Sequence, residues 1–245
     1  MDKLAYIAMS GAKESVLAQV NVANNLANAS TNGFRADLNQ AQSFPVMGKG
    51  LATRVFSLAT TQSANFKSGP LMSTGNPLDV AIRGDGFLAV QAKDGSEGYT
   101  RNGELSISSS GLLQNSFGQP VMGDGGPLIV PPQESVEIGR DGTVSIRPMG
   151  APESAIQVIG RLKLVNPNLN EITKRADGLF EKKDKSLLNS DASVTLESRT
   201  LEGSNVSPVE EMTKMIELSR RFEVQIKMIK DSADNDQALD RLLQG

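Results

Sequence analysis

Ser207-Pro208-Val209-Glu210-Glu211-Met212, running on through Ile216, Phe222, Ile226 and Ile229, is the stretch that decides how this chain is built. Serine caps a helix, and proline suits the first turn because its missing N–H is not needed there. The glutamate three residues after the serine completes a capping box. Apolar or small residues then recur at steps of three and four: Val209, Met212, Ile216, Ser219, Phe222, Ile226, Ile229 and Ala233. Such spacing is close to a heptad seam, which needs a second helix against it. Met215, Leu218 and Val224 widen the stripe beyond what one partner helix would cover. It fades over 231–237 and returns as Leu239, Leu242 and Leu243, so a C-terminal helix is expected over 203–245, about 55 Å long if unbroken.

At the other end, Leu4, Ile7, Ala8, Gly11, Ser15, Ala18, Val22, Leu26 and Ala29 repeat at helical spacing, with Met9, Val16 and Ala23 following at sevens. This is a mostly small-residue face, suited to close helix–helix approach. Asn32-Gly33 is a helix-stop signal, placing the N-terminal helix within 1–33. Asn21, Asn24, Asn25 and Asn28 are poor helix formers, so this helix is marginal alone and is expected to form only when packed into an assembly. Two helices at opposite ends have no helical neighbours in their own chain except each other. Their apolar faces must be covered by one another or by other molecules.

Between them the texture changes. Residues 34–77 show no sustained period and hold Phe44-Pro45, Gly48-Lys49-Gly50 and Ser68-Gly69-Pro70, with one strand at Thr53–Leu58. They read as an extended connector with irregular β-structure. Over 78–202, short β-type runs alternate with Asp85-Gly86, Asp94-Gly95, Asn102-Gly103, Asp124-Gly125, Asp141-Gly142 and Asp177-Gly178, pairs that favour turns with positive φ. The runs are 79–82, 87–90, 99–101, 111–113, 120–122, 128–130, 135–138, 143–146, 156–165, 171–173 and 192–197. The fold class expected is α+β. A central antiparallel all-β domain, a sandwich or barrel-like, is flanked by terminal helices that pair as a coiled coil.

Composition narrows function. The 245 residues include no cysteine, no histidine and no tryptophan, so the core is expected to be aliphatic. Disulfides and thiolate metal sites are excluded, and the commonest general base and metal ligand are missing. A Ser–Lys or paired-carboxylate hydrolase acting on peptidoglycan would need a compact signature that the chain does not show, and a wall-binding protein is the other remote alternative. A coiled-coil adhesin would need a secretion signal or anchor. A net charge of −3 with scattered Lys and Arg argues against nucleic acid. No stretch reaches the roughly 20 apolar residues that span a bilayer, and Met1–Ile7 does not read as a cleaved signal. Gly84-Asp85-Gly86-Phe87-Leu88-Ala89 fits a loose dinucleotide pattern, yet the run after it is β-type where that pattern needs a helix. Asp124, Asp141 and Asp177 read as turn residues rather than calcium ligands. No catalytic, cofactor-binding or metal-ligating residue is assigned.

Ala23-Asn24-Asn25-Leu26-Ala27-Asn28 with Ser30-Thr31-Asn32-Gly33-Phe34 resembles the N-terminal signature of bacterial flagellar rod and hook proteins. Gly75-Asn76-Pro77-Leu78-Asp79-Val80 with Gly84-Asp85-Gly86-Phe87 resembles a second family motif. Tyr99-Thr100-Arg101-Asn102-Gly103, leading to Gly118-Gln119-Pro120-Val121, is a third, and Leu201-Glu202-Gly203-Ser204-Asn205-Val206 with Glu210-Glu211-Met212 a fourth. The opening residues 1–12 are most similar to the proximal-rod branch, with distal rod and hook-type proteins as alternatives. The resemblance implies a structural subunit with no enzymatic activity or cofactor, assembled into the periplasmic rod of the basal body. It implies export through the flagellar type III apparatus without signal cleavage. Its partners would be copies of itself, other rod proteins and surrounding ring proteins. Leu4, Ile7, Gly11, Ala18, Val22, Leu26, Val209, Met212, Ile216, Phe222, Ile226 and Ile229 are the expected assembly interface.

Overall fold

The computed structural model describes residues 3–45, 55–152 and 154–244, with backbone alone at 3–4, 39–45, 55–62, 236, 239–240 and 242–244. Gly48-Lys49-Gly50 and Thr53, read above as part of the connector, lie outside the described residues, as do the side chains of Leu4, Phe44, Pro45, Leu239, Leu242 and Leu243. The chain divides into two compact units, one of residues 1–29, 37–65 and 206–245, the other of residues 30–36 and 66–205.

The first unit contains α1 (Lys3–Ala27), β1 (Asp37–Pro45), β2 (Val55–Ala64) and α2 (Pro208–Gln244). α2 begins where the capping signal places it, with Glu211 N–H donating to Ser207 O at 3.0 Å, and runs unbroken for 37 residues. α1 stops earlier than Asn32-Gly33. Asn28 N is shared between Asn24 O and Asn25 O, and Ala29 N turns back only three residues to Leu26 O. The Asn28 side chain also donates to Asn24 O at 2.9 Å, the local competition by which asparagine ends a helix. Gly33 is left-handed all the same, at φ +72°. Within 34–77 the structure holds more than a connector. β1 and β2 form an antiparallel ladder from Asp37↔Ala64 to Pro45↔Val55, with a register shift at Gln40/Ala41.

The second unit is all β. Its strands are β3 (Leu71–Ser73), β4 (Val80–Arg83), β5 (Phe87–Gln91), β6 (Glu97–Thr100), β7 (Leu105–Ile107), β8 (Leu113–Asn115), β9 (Met122–Gly123), β10 (Gly126–Pro127), β11 (Gln133–Ile138), β12 (Thr143–Pro148), β13 (Gln157–Arg161), β14 (Leu164–Val165), β15 (Ile172–Lys174), β16 (Phe180–Lys182), β17 (Thr195–Ser198) and β18 (Thr200–Glu202). Every described pairing is antiparallel. The largest sheet has the order β14-β5-β6-β16-β15, a second is β11-β12-β13, and β17-β4, β18-β3, β7-β8 and β10-β9 are pairs. The single run expected at 156–165 is two strands, because the chain changes partners at Leu162: β13 lies on β12, whereas β14 lies on β5. The strand expected at 128–130 is reduced to one bridge, Leu112↔Ile129.

The core is aliphatic, built around Leu88, Val90, Leu113, Val121, Ile146 and Leu162. A separate aromatic group packs Phe66, Phe87 and Phe180 at 5.2–6.3 Å between ring centres. After Gly84-Asp85-Gly86 the chain enters β5 and returns as β6 through Gly95, so the glycines serve a turn and not a phosphate cradle. Asp141 and Asp177 accept the amides of Thr143 and Leu179, which is turn chemistry.

Candidate assembly interface

α1 and α2 pack antiparallel, so that Gly11 meets Gln225 and Asn25 meets Glu211. The face of α2 withdrawn from solvent is Glu211, Met215, Leu218, Phe222, Gln225, Ile229 and Ser232, alternating steps of four and three. On α1 the matching line is Ala8, Gly11, Ser15, Ala18, Val22 and Asn25. Small residues let the backbones approach closely. A Cβ built on Gly11 would stand 2.6 Å from Gln225 Nε2, so the amide occupies the notch that glycine leaves. Ser15 Oγ is 3.0 Å from Gln225 Oε1 and 3.0 Å from Gly11 O. Deeper along the pair, Asn25 Nδ2 donates to Glu211 Oε2 at 3.3 Å and to Asp37 O at 3.0 Å, while its Oδ1 accepts Asp37 N–H at 2.7 Å. Glu211 is buried and also takes Lys214 Nζ at 2.6 Å. Polar groups thus meet along the seam between the two helices, Ser15 with Gln225 and Asn25 with Glu211.

This arrangement divides the expected interface in two. Gly11, Ala18 and Val22 on α1, with Phe222 and Ile229 on α2, lie in the line that the helices turn toward each other; Ile7 and Leu26 are half-buried beside it. Val209, Met212, Ile216 and Ile226 face outward, with Val209 74% and Ile216 57% exposed. Tyr6, Met9, Val16, Leu17 and Val20 are likewise exposed on α1. Helical geometry puts Met9, Val16 and Val20 within a narrow arc of α1, and Val209, Met212, Ile216 and Ile226 along one flank of α2. So many apolar side chains aligned along two helices form a patch of the kind that marks an interaction surface.

The motif residues organise the chain locally. Asn24 Nδ2 donates to Asp37 Oδ2 at 2.9 Å, and Asn25 and Asn28 act as described. In the β unit, Asn76 Nδ2 and Thr74 Oγ1 both donate to the buried Asp79 carboxylate, at 3.0 and 2.6 Å, and Asn76 Oδ1 accepts Leu78 N–H. Those bonds set the Gly75-Asn76-Pro77 turn, with Gly75 at φ +77°. Gly84 and Gly86 are also left-handed, and a Cβ on Gly86 would meet Val194 at 2.8 Å, while Phe87 is buried behind them. Gly33 is required twice: by its φ and because a Cβ would lie 2.3 Å from the Arg101 carbonyl carbon. Phe34 lies under Lys174 Nζ, 4.0 Å from its ring centre. Ser204 and Val206 are buried, and Asn205 bonds the chain on both sides of it: its Oδ1 accepts Ala36 N–H and its Nδ2 donates to Lys67 O, each at 2.8 Å.

Two residues with central roles were not among the expected site residues. Arg35 and Glu202 form an ion pair at 2.7 Å, each with a side chain 1% exposed, and Arg101 approaches the same carboxylate at 3.2 Å. Arg101 is also held by Ile82 O and Gly84 O and sits over the Phe87 ring. Burial, and the second guanidinium at Arg35, push the Arg101 pKa down, while the Glu202 charge opposes that shift. A charged pair so far apart in sequence leaves no periodic signal, although Arg101 and Glu202 stand within two of the motifs quoted above.

Among the described residues no cluster of potential metal ligands occurs, and no helix is long and apolar enough to cross a membrane. Two family profiles match the chain: the family described as flagellar basal body rod FlgEFG protein C-terminal over residues 197–242, and that described as flagellar hook protein FlgE/F/G D1 domain over residues 81–146. Over 99% of both chains, the sequence is 45% identical to the flagellar basal-body rod protein FlgF of Salmonella typhimurium, and 42% identical to that of Escherichia coli. It is 32% identical to the basal-body rod protein FlgG of Buchnera aphidicola, over 91% of this chain and 92% of that one.

Proposed function

This chain belongs to the flagellar basal-body rod protein family, and on that premise we propose that it is a proximal-rod subunit polymerised through its terminal helices. The family is structural, not enzymatic, and its members associate with other rod components in the basal body. The 45% and 42% identity to the FlgF proteins of Salmonella typhimurium and Escherichia coli, against 32% to the Buchnera aphidicola FlgG, favours the proximal branch over a distal-rod or hook-type role.

One observation carries the assembly reading. After α1 and α2 have packed on each other, apolar lines on both remain in water. In this reading the α1–α2 pair is a coiled coil whose outer faces are covered by equivalent pairs from neighbouring copies and other rod proteins. Burying one such Ile, Val or Leu contributes roughly 1.5–3 kcal/mol, which offsets the entropy of ordering the subunits. Torque passes through these packed contacts, and the polymer is a drive shaft. The interface comprises the outward residues Val209, Met212, Ile216 and Ile226, with Ile7 and Leu26 at its margin. We place the subunit in the periplasm, delivered by the flagellar type III apparatus without signal cleavage and standing inside the ring proteins. Deleting the gene and imaging the remaining basal bodies tests this. Truncated rods are expected, and rods of full length would overturn the assignment.

A further inference from the structure

Three stretches of the β unit, 30–36, 66–70 and 202–205, carry the chain across the unit's boundaries, and one side chain fastens them together. Glu202 Oε1 accepts Gly69 N–H at 2.9 Å and faces Arg35 Nη2 at 2.7 Å, and Oε2 faces Arg101 Nη1 at 3.2 Å. The Glu202 carbonyl accepts Gly33 N–H at 2.7 Å. Three residues on, Asn205 ties Ala36 N–H to Lys67 O through the two ends of its amide. Gly203 N–H adds a bond to Pro70 O at 2.8 Å. No space remains for adjustment: a Cβ on Gly69 would stand 2.1 Å from Gly203 O.

This cluster is a poor way to fill a core. Two buried guanidinium groups share one carboxylate, and among the described residues Arg35 Nε and Nη1 and Arg101 Nε find no hydrogen-bond partner. Well-packed apolar side chains of similar volume are commonly as stable as a buried ionic triad, or more so. What apolar contacts cannot supply is direction. A carboxylate accepts along fixed lone-pair directions, so each donor must sit at its own place.

We propose that Glu202 is a positioning residue: with Asn205 it clasps these three stretches at one fixed spacing, and it is retained for that alignment and not for stability. The inference concerns the β unit alone and stands whether or not the chain is a rod subunit.

Hydrogen exchange on the full chain, read at single amides, tests it. Glu202→Gln keeps the shape and an acceptor for Gly69 but removes the charge. Exchange at Gly33, Ala36 and Gly69 is expected to quicken by about a hundredfold, the scale of a buried ion pair that loses one partner. Leu88, Leu113 and Val144 in the core should keep their rates. Because Gly33 and Ala36 do not bond to the Glu202 side chain, their quickening reports separation of the stretches. Adding Arg101→Met removes the surplus cation and should restore about tenfold of the protection. Should Glu202→Gln fail to fold, Asn205→Ala keeps the question open to decision: Ala36 is expected to quicken while the core does not. Unchanged rates at the three amides, or core amides quickening by the same factor, would overturn the proposal.

Discussion

Replacing Ile216 by aspartate separates the two faces of α2. In the free chain Ile216 is 57% exposed, so the substitution lies at a surface and should shift stability by no more than about 0.5 kcal/mol. A neighbouring subunit covering that residue would bury the remaining half. With roughly 1.5–3 kcal/mol for a fully buried isoleucine, about 1–1.5 kcal/mol per subunit is still unclaimed in the single chain. Aspartate forfeits that gain and must also shed its water, at a cost of several kcal/mol when no cation is supplied. Together these exceed about 4 kcal/mol, or roughly a thousandfold in subunit affinity. The companion change, Phe222→Asp, lies on the covered line and should loosen the α1–α2 pair itself. Circular dichroism melts of the purified chain, sedimentation of assembled material and swimming of complemented deletion cells read the three quantities. Ile216→Asp should melt like the native chain yet neither sediment nor restore swimming, whereas Phe222→Asp should lose helix before assembly is attempted. If Ile216→Asp assembles normally, or if it melts the free helices, the division of faces is wrong.

Gly33→Ala and Gly75→Ala place a side chain at the same left-handed backbone, crowded in one case and in open space in the other. Urea denaturation should show a loss of about 1 kcal/mol for Gly75→Ala, from conformational strain alone, and more than about 3 kcal/mol for Gly33→Ala, where backbone must also move. In the turn between β5 and β6, the Ser96 hydroxyl and amide, and then Arg175, bring the Asp94 carboxyl down to about 2. A depressed carboxyl stabilises the folded chain above its ordinary value of 3.8 and loses that contribution as pH falls toward about 2. Ser96→Ala should raise the Asp94 midpoint toward 3.8 in an NMR titration, and a midpoint that stays near 2 would remove Ser96 as the main cause.

The start of α2 was fully legible, because capping is local chemistry written in four consecutive residues. The seam was legible only in part. Spacing selects the stripe Val209, Met212, Ile216, Ser219, Phe222, Ile226, Ile229 and Ala233, and the structure turns Phe222 and Ile229 toward α1 on a line with Glu211, Gln225 and Ser232 while Val209, Met212, Ile216 and Ile226 stay outward. Hydropathy cannot say whether a stripe is meant for the same chain or another, and it discounts a carboxylate that finds an asparagine. The β1–β2 ladder was hidden for a related reason. Asp37-Leu38-Asn39-Gln40 has little β propensity, and its partners lie farther along the chain at Thr61–Ala64. In the β unit, turn pairs marked most strand ends, while the change of partners at Leu162 left no trace in composition. Arg35 and Glu202 are ordinary surface residue types by statistics, and only tertiary structure buries them.

The amide of Gln225 seated in the Gly11 notch acts as a key. Were α2 to slide by seven residues along α1, that amide would meet Ala18, which has a methyl group where the notch should be, and the buried Asn25 and Glu211 would lose each other. Greasy seams tolerate such slips cheaply, and polar ones do not. If copies polymerise as proposed above, each brings its two ends already in step.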